Sequence, residues 1–283
     1  MKNADAEEHD FELDGWARWD MPTEDYYDTT QFPEEFTGYD GAEVWNFIHN
    51  RIAFQETAYS DDNWKADFNR AVSGLHSMVS AQICRGIADR IESGEGFDDE
   101  PWTDPRVEFD RRLGPDGENP KAIENLYFTY MLMLSAVAGA RERLGQDCAS
   151  GKIDEDTAAD LTPILDHPLL DDPGIGAAST KFHNHATKSV DTVGNNDNAL
   201  WEARMRAREL MRIMNCVQCN KCRLHGKIAT LGLSTALQIL LGSRGEGGDV
   251  SRIHRVELAA LMTSLGKMSS AVHYCQSMME EEN

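Results

Sequence analysis

Along several long stretches of this chain apolar residues recur every three or four positions, and strand-like alternation of any length does not occur. A repeat near 3.6 residues gathers such positions on one face of a helix, whereas a strand would split them between two faces. Between Trp64 and Ile91 the positions Phe68, Val72, Leu75, Val79, Ile83, Ile87 and Ile91 form one stripe, with Ser73 and His76 three apart on a neighbouring face. Asn119-Pro120 reads as an N-cap followed by proline at the first helical position, opening a helix to about Leu144 that Gly145 ends. Between Leu126 and Leu134 that helix is apolar all round, as a central element would be. Trp201, Met205, Met211 and Met214 mark a helix from Leu200 to Asn215, and a last helix carries Leu258, Leu261, Met262, Leu265, Met268, Val272, Cys275 and Met279. A short helix is expected from Asp154 to Leu165; residues 95 to 119 and the remainder of 151 to 197 read as long loops rich in Gly, Pro and Asp. The expected fold class is mainly α, one domain of five or six helices.

With 283 residues, 41% of them hydrophobic, the chain can build a full core without staples. Its formal charge is −22, and the first forty residues, with 2 basic against 13 acidic side chains, supply half of it. Residues 1–40 therefore read as an acidic, extended N-terminal segment ahead of a helical domain at 41–283. Such a balance repels nucleic-acid backbones and anionic lipid, so neither is an expected partner. No apolar stretch reads as a transmembrane segment; the best, Asn125 to Ala140, is 16 residues with two tyrosines and a threonine and reads as a buried helix. No secretory leader is visible at Met1-Lys-Asn-Ala-Asp.

Three of the six cysteines fall in Cys216-Val-Gln-Cys-Asn-Lys-Cys222, directly ahead of the apolar, helix-like run from Arg223 to Gly242. A Cys-x-x-Cys pair at a helix start sets two sulfurs one turn apart, and the positive end of the helix favours thiolate over thiol. Two chemistries suit that spacing. One is a dithiol that cycles through a disulfide. The other is a metal set of Cys216, Cys219, Cys222 and His225, although four ligands within ten residues of one helix have difficulty surrounding a zinc ion. Cys84, Cys148 and Cys275 stand alone on predicted helices and read as buried thiols, with Cys148 the most exposed. His183-Asn-His185 has no acidic or thiol partner nearby in sequence and reads as an ordinary loop element.

The stretch from Cys216 through Cys222-Arg-Leu-His-Gly-Lys to Gly232-Leu-Ser-Thr-Ala-Leu-Gln-Ile-Leu240 closely resembles the flavin-proximal helix of the endoplasmic reticulum oxidoreductins, FAD-dependent thiol oxidases. Four further stretches agree in the family's order: Phe36-Thr-Gly-Tyr39 with Val44-Trp-Asn46, Ser73-Gly-Leu-His76, Glu124-Asn-Leu-Tyr-Phe128, and Arg255 to Val272. The resemblance spans roughly residues 30 to 275. It implies a helical bundle holding FAD between helices. Cys219 and Cys222 would form the catalytic disulfide, Cys219 exchanging with a protein disulfide isomerase-like dithiol protein and Cys222 facing the flavin, which passes electrons to molecular oxygen. Thr37, Trp45, Ser73 and His76 match the family's FAD contacts. An endoplasmic reticulum lumen follows from the resemblance alone.

The departures from the family pattern are specific. Three family arginines that contact FAD align with Glu35, Ala122 and Ser135, with Lys121 as the replacement for one of them. No cysteine precedes Cys84, so neither the family's shuttle pair nor the N-terminal partner of the cysteine matching Cys216 is in this chain. Either an N-terminal domain is missing, or substrates reach Cys219 directly. The family's regulatory cysteines are also absent from Arg51-Ile-Ala-Phe54 and Asp67-Phe-Asn69. The rival expectations are a degenerate member that keeps the scaffold as an interaction protein without flavin, and a zinc-binding module built on Cys216, Cys219 and Cys222.

Overall fold

The computed structural model describes residues 64–94, 104–188, 197–215, 220–242 and 253–280. Every regular element among the described residues is helical. In chain order these are α1 (Trp64–Glu92), α2 (Pro105–Leu113), α3 (Ala122–Ala149), α4 (Glu155–Leu165), a 3₁₀ turn (Pro168–Asp171), α5 (Pro173–Lys188), α6 (Asp197–Asn215), α7 (Asn220–Gly242) and α8 (Arg255–Glu280). The mainly α expectation holds. The predicted boundary between residues 40 and 41 lies outside the described residues.

The central element is α3, which packs against α1, α5, α7 and α8 as well as α4. Leu132, Met133, Ala136, Val137 and Ala140 along it are all buried, which is what its all-round apolar middle implies. Tyr127 departs from that reading, at 52% exposed. Two glycines let helix backbones approach closely. A β-carbon on Gly74 of α1 would collide with Thr129 and the Asn125 carbonyl oxygen of α3, and one on Gly232 of α7 would collide with Ser264 and the Ala260 carbonyl oxygen of α8. Ser264 Oγ donates to the Ile228 carbonyl oxygen at 3.2 Å across the second crossing. Of the stripe on α1, Phe68, Val72 and Leu75 are fully enclosed and Ile87 is buried, Val79 and Ile83 are half-buried, and Ile91 at the end of the helix is 44% exposed.

The structure corrects four expectations. Residues 105–113, read as loop, form α2: the Asp104 carboxylate accepts from the Arg106 amide at 2.9 Å, Pro105 opens the first turn, and Phe109 and Leu113 bury on one side. Asn119 does not cap α3. Its carbonyl oxygen accepts from the Ala122 amide at 2.9 Å in a turn, its side chain is committed elsewhere, and the helix starts two residues later than expected. Gly145 does not end α3, which runs to Ala149 and stops before Gly151, whose φ of 69° breaks the repeat. Residues 173–188, read as irregular because of Pro173, Gly174 and Gly176, form α5. There the Asp172 carboxylate accepts from the Gly174 amide at 2.7 Å and proline stands where it fits a first turn.

One further correction concerns hydropathy. The segment Arg223–Leu241 is long and apolar enough to cross a membrane by length and composition, which the sequence reading did not credit. Its window is 67% buried against other helices, as the core helix of a bundle is. Ala229, Leu233, Ala236, Leu237 and Leu240 all lie in the main core.

Candidate functional site

The polar side of α1 faces inward. Asn69, Ser73, His76 and Ser80 recur at four, three and four residues, one line along the helix, and each is at least nine-tenths buried. Around Ser73 the start of α3 and the loop before it close a network. Asn125 Nδ2 donates to Ser73 Oγ at 3.0 Å and Asn119 Nδ2 donates to the same oxygen at 3.3 Å. Arg70 Nε donates to Asn125 Oδ1 at 3.4 Å, and the Arg70 guanidinium lies 4.2 Å from the centroid of the Phe128 ring. Thr129 Oγ1 donates to the Asn125 carbonyl oxygen at 2.8 Å, one turn further along α3. The close approach permitted by Gly74 is what brings these groups of α1 and α3 together.

Of the residues expected to contact a cofactor, the structure brings Ser73 and His76 onto this buried face, while Thr37 and Trp45 lie outside the described residues. Cys216 and Cys219 also lie outside them. Cys222 occupies the third position of α7, so its backbone stands in the first helical turn. The end of α6 and the beginning of α7 pack side by side there, with Met214 filling the space beside Gly226.

At two of the positions that the resemblance sets against family arginines, the surroundings are definite. Ala122 is fully buried. Ser135 Oγ lies 2.7 Å from the Met131 carbonyl oxygen and 2.8 Å from that of Ile175, so its hydroxyl fastens α5 to α3. Neither position can present a charge to a phosphate. Lys121 sits exposed at the start of α3, and Glu35 lies outside the described residues. The cation wired to Ser73 is instead Arg70, through Asn125. Asn69, Asn119, Asn125 and Arg70 were not among the expected site residues, although Asn119 was read as a helix cap and Asn125 lies in the stretch Glu124–Phe128. The one signal for Asn69 was its spacing, a turn ahead of Ser73 on the same face.

Cys84 and Cys275 are buried and Cys148 is half-buried, as expected. Burial pushes the Cys84 thiol up to about 11 and the Cys275 thiol up to about 12, the second also through proximity to Cys84. Both are therefore protonated and poor nucleophiles. A groove of about 950 Å³ opens between the C-terminal half of α3, α4 and the 3₁₀ turn. Crossed by the Arg141–Asp171 ion pair at 2.6 Å and edged by Cys148, it contains none of the expected site residues.

Whether these residues suit a flavin dinucleotide can be judged from the polar face of α1. Ser73 Oγ receives two donors and keeps its own proton, and Asn69 Oδ1 is a buried acceptor that no donor among the described residues reaches. A buried donor beside a buried acceptor suits a heteroaromatic ring edge. The face thus has the polarity that a flavin or adenine ring edge requires, whereas neither Ala122 nor Ser135 offers a charge for a diphosphate.

The same architecture recurs in Ero1p. A double-mutant Ero1p crystal structure superimposes with a TM-score of 0.58 at 24% identity, covering 89% of this chain and 68% of that one. A second structure, described as Ero1p, source of disulfide bonds for oxidative protein folding in the cell, gives 0.51 at 22% identity, covering 90% and 64%. Among curated proteins, the Ero1-like protein of Drosophila melanogaster is 29% identical over 95% of this chain and 64% of its own length. ERO1-like protein alpha of Homo sapiens is 29% identical over 93% and 64%, and endoplasmic reticulum oxidoreductin-2 of Arabidopsis thaliana 29% over 93% and 56%. The chain thus spans less than two thirds of the length of these curated relatives. The family model for Endoplasmic Reticulum Oxidoreductin 1 (ERO1) matches residues 1–275, nearly end to end, and with the helical scaffold this assigns the chain to the ERO1 family.

Proposed function

We propose that this protein is a FAD-dependent thiol oxidase that forms disulfides in protein substrates within the endoplasmic reticulum lumen, using Cys219 and Cys222. The observation that carries the proposal is the family match across residues 1–275, which takes in the Cys216-to-Cys222 motif leading into α7. In the reaction a thiolate of a protein disulfide isomerase-like dithiol protein attacks the Cys219 sulfur, the Cys219–Cys222 bond breaks, and Cys222 leaves as thiolate. The partner's second thiolate then attacks the mixed disulfide and releases Cys219, so the partner leaves with one disulfide and two electrons stay in the Cys219/Cys222 dithiol. Placement in the first turn of α7 favours Cys222 as the leaving thiolate. When bound, FAD supplies the two-electron acceptor for that dithiol and the route to molecular oxygen, whose reduction to hydrogen peroxide closes the cycle. Thr37, Trp45, Ser73 and His76 are the residues proposed to hold it, Trp45 by stacking and the others by hydrogen bonds. The Ser73 and His76 assignments are supported by their burial on one face of α1.

A second reading, a family member that keeps the scaffold without flavin, is favoured by one observation: Ala122 is enclosed and the Ser135 hydroxyl is committed within the bundle, so neither meets an anion. Oxygen consumption with a reduced dithiol protein separates the two. The oxidase consumes oxygen and yields peroxide, and Cys222→Ser abolishes both; a flavin-free scaffold does neither. A zinc module on Cys216, Cys219 and Cys222 would instead lose metal to a chelator.

A further inference from the structure

The groove of about 950 Å³ between α3 and α4 is walled by two facing helix sides that carry small residues. On α3, Ala138, Gly145 and Ala149 share one side at helical spacing; Ala158, Ala159 and Thr162 share the facing side of α4. A β-carbon on Gly145 would meet nothing within 4 Å, and glycine is a poorer helix former than alanine, so the bundle's own packing gives no reason for it at this point of α3. A helix laid against it from outside does, because glycine permits the closest approach of backbone to backbone. From Ala138 to Ala149 the lined side of α3 is about 16 Å long at 1.5 Å per residue, room for about three turns of a further helix.

The rim of the groove says which charge that helix carries. Residues 153–172 hold seven carboxylates and neither lysine nor arginine. Arg141, the one cation lining the groove among the described residues, is tied to Asp171 at 2.6 Å. Glu142, Glu155 and Asp166 meet no cation among the described residues, and Glu142 accepts only from the neutral Gln146 amide, at 3.4 Å. Asp166 stands at the C-cap of α4, where the helix dipole already gathers negative charge and the last turn holds no basic residue. Both favour a cation brought in from outside. A second copy of this chain, at −22, would add carboxylates to the same rim.

We propose that the groove between α3 and α4 docks a basic amphipathic helix of a partner protein. Its apolar side chains at i, i+3, i+4 and i+7 seat between the two alanine-lined sides, and its lysines or arginines reach Glu142, Glu155 and Asp166. The groove shares no residue with the thiol and flavin assignments, so this docking stands independently of the oxidase reading.

The test uses two labelled 15-residue peptides of one composition, an amphipathic helix of lysine with alanine and leucine anchors and a permuted version without an apolar face. Binding to the full chain is followed by fluorescence anisotropy, and alkylation of Cys148, which edges the groove, is timed with and without peptide. The amphipathic peptide should bind at least tenfold more tightly than the permuted one and slow alkylation of Cys148. Gly145→Leu, which fills the groove at a point open in the native chain, should weaken binding tenfold or more while the melting temperature stays level or rises. Ala159→Leu repeats that measurement from the facing helix. Glu142→Gln with Asp166→Asn should weaken binding and flatten its dependence on salt. Equal binding of the two peptides, unslowed alkylation of Cys148, or unchanged affinity in the filled grooves would overturn the proposal by leaving only diffuse attraction to an acidic surface. Self-association of the native chain that Gly145→Leu abolishes would overturn it too, by making the occupant a second copy.

Discussion

Substituting Gly74 by alanine should destabilise the protein, while the same substitution at Gly86, three turns along the same helix, should stabilise it. Both glycines lie inside α1, where alanine is intrinsically better by about 0.8–1.0 kcal/mol. The surroundings differ completely. A β-carbon at Gly86 meets nothing within 4 Å, so the helical preference is the whole effect. At Gly74 it would stand 2.7 Å from the Thr129 β-carbon and inside contact distance of Thr129 Oγ1 and the Asn125 carbonyl oxygen. The threonine hydroxyl can rotate away, but the carbonyl belongs to the backbone of α3, so the two helices must separate. Overpacking of this kind costs about 1–3 kcal/mol, and contact with backbone puts this case at the upper end. The net expectation is about 1–2 kcal/mol of destabilisation for Gly74→Ala against about 0.8–1.0 kcal/mol of gain for Gly86→Ala. At about 2–4 °C per kcal/mol for a protein of this size, the melting temperature should fall by about 2–8 °C in the first and rise by about 2–4 °C in the second. Thermal unfolding followed by circular dichroism measures both. Shifts of the same sign would refute the claim that Gly74 sets the spacing between α1 and α3.

Glu108 is nine-tenths buried and accepts from Arg111 at 2.6 Å and Arg112 at 3.0 Å. The hydrogen bond from Arg111 leads in holding its carboxyl below the usual range, burial opposing it. A depressed carboxyl stabilises the fold above its unfolded value of about 4.3 and ceases to as pH falls through the folded value. Glu108→Gln should therefore weaken the fold by about 1–2 kcal/mol at neutral pH, partly discounted because Arg111 is half in solvent, and the gap from native should close below about pH 4 in denaturant titrations. Ser135→Ala should loosen the junction of α3 and α5 by about 1 kcal/mol in the same assay, since it removes a hydroxyl lying between two carbonyl oxygens. A thiol-alkylating reagent applied to the native fold near pH 8 should modify Cys148 well before Cys84 or Cys275, whose thiols ionise only at about 11 and about 12; mass spectrometry of timed digests would reveal the order.

The long helices were readable because their cores come from periodic stripes, and α1, α6 and α8 fall close to where those stripes place them. What escaped was decided by short-range capping or by packing. Polar α2 depends on Asp104 and the Glu108–arginine pairs, α5 tolerates two glycines after a capped proline, and α3 continues past Gly145 because a lone glycine only weakens a helix. At the site, Ser73 and His76 stood out through resemblance, whereas Asn69 looked like any polar residue beside an apolar stripe. Its burial, and an Oδ1 that no donor among the described residues meets, follow from tertiary packing, which no local pattern encodes. Likewise resemblance alone set Ala122 and Ser135 against family arginines, and only the fold shows Ser135 spent on a helix junction.

The central claim is that this bundle holds a flavin that takes electrons from Cys222. A visible absorption spectrum of the purified full chain, recorded anaerobically before and after adding a reduced dithiol protein, tests it most directly. The account predicts an oxidised flavin band that bleaches in the native protein, persists in Cys222→Ser, and returns when oxygen is admitted. A correctly folded helical protein that remains colourless after incubation with FAD would contradict it.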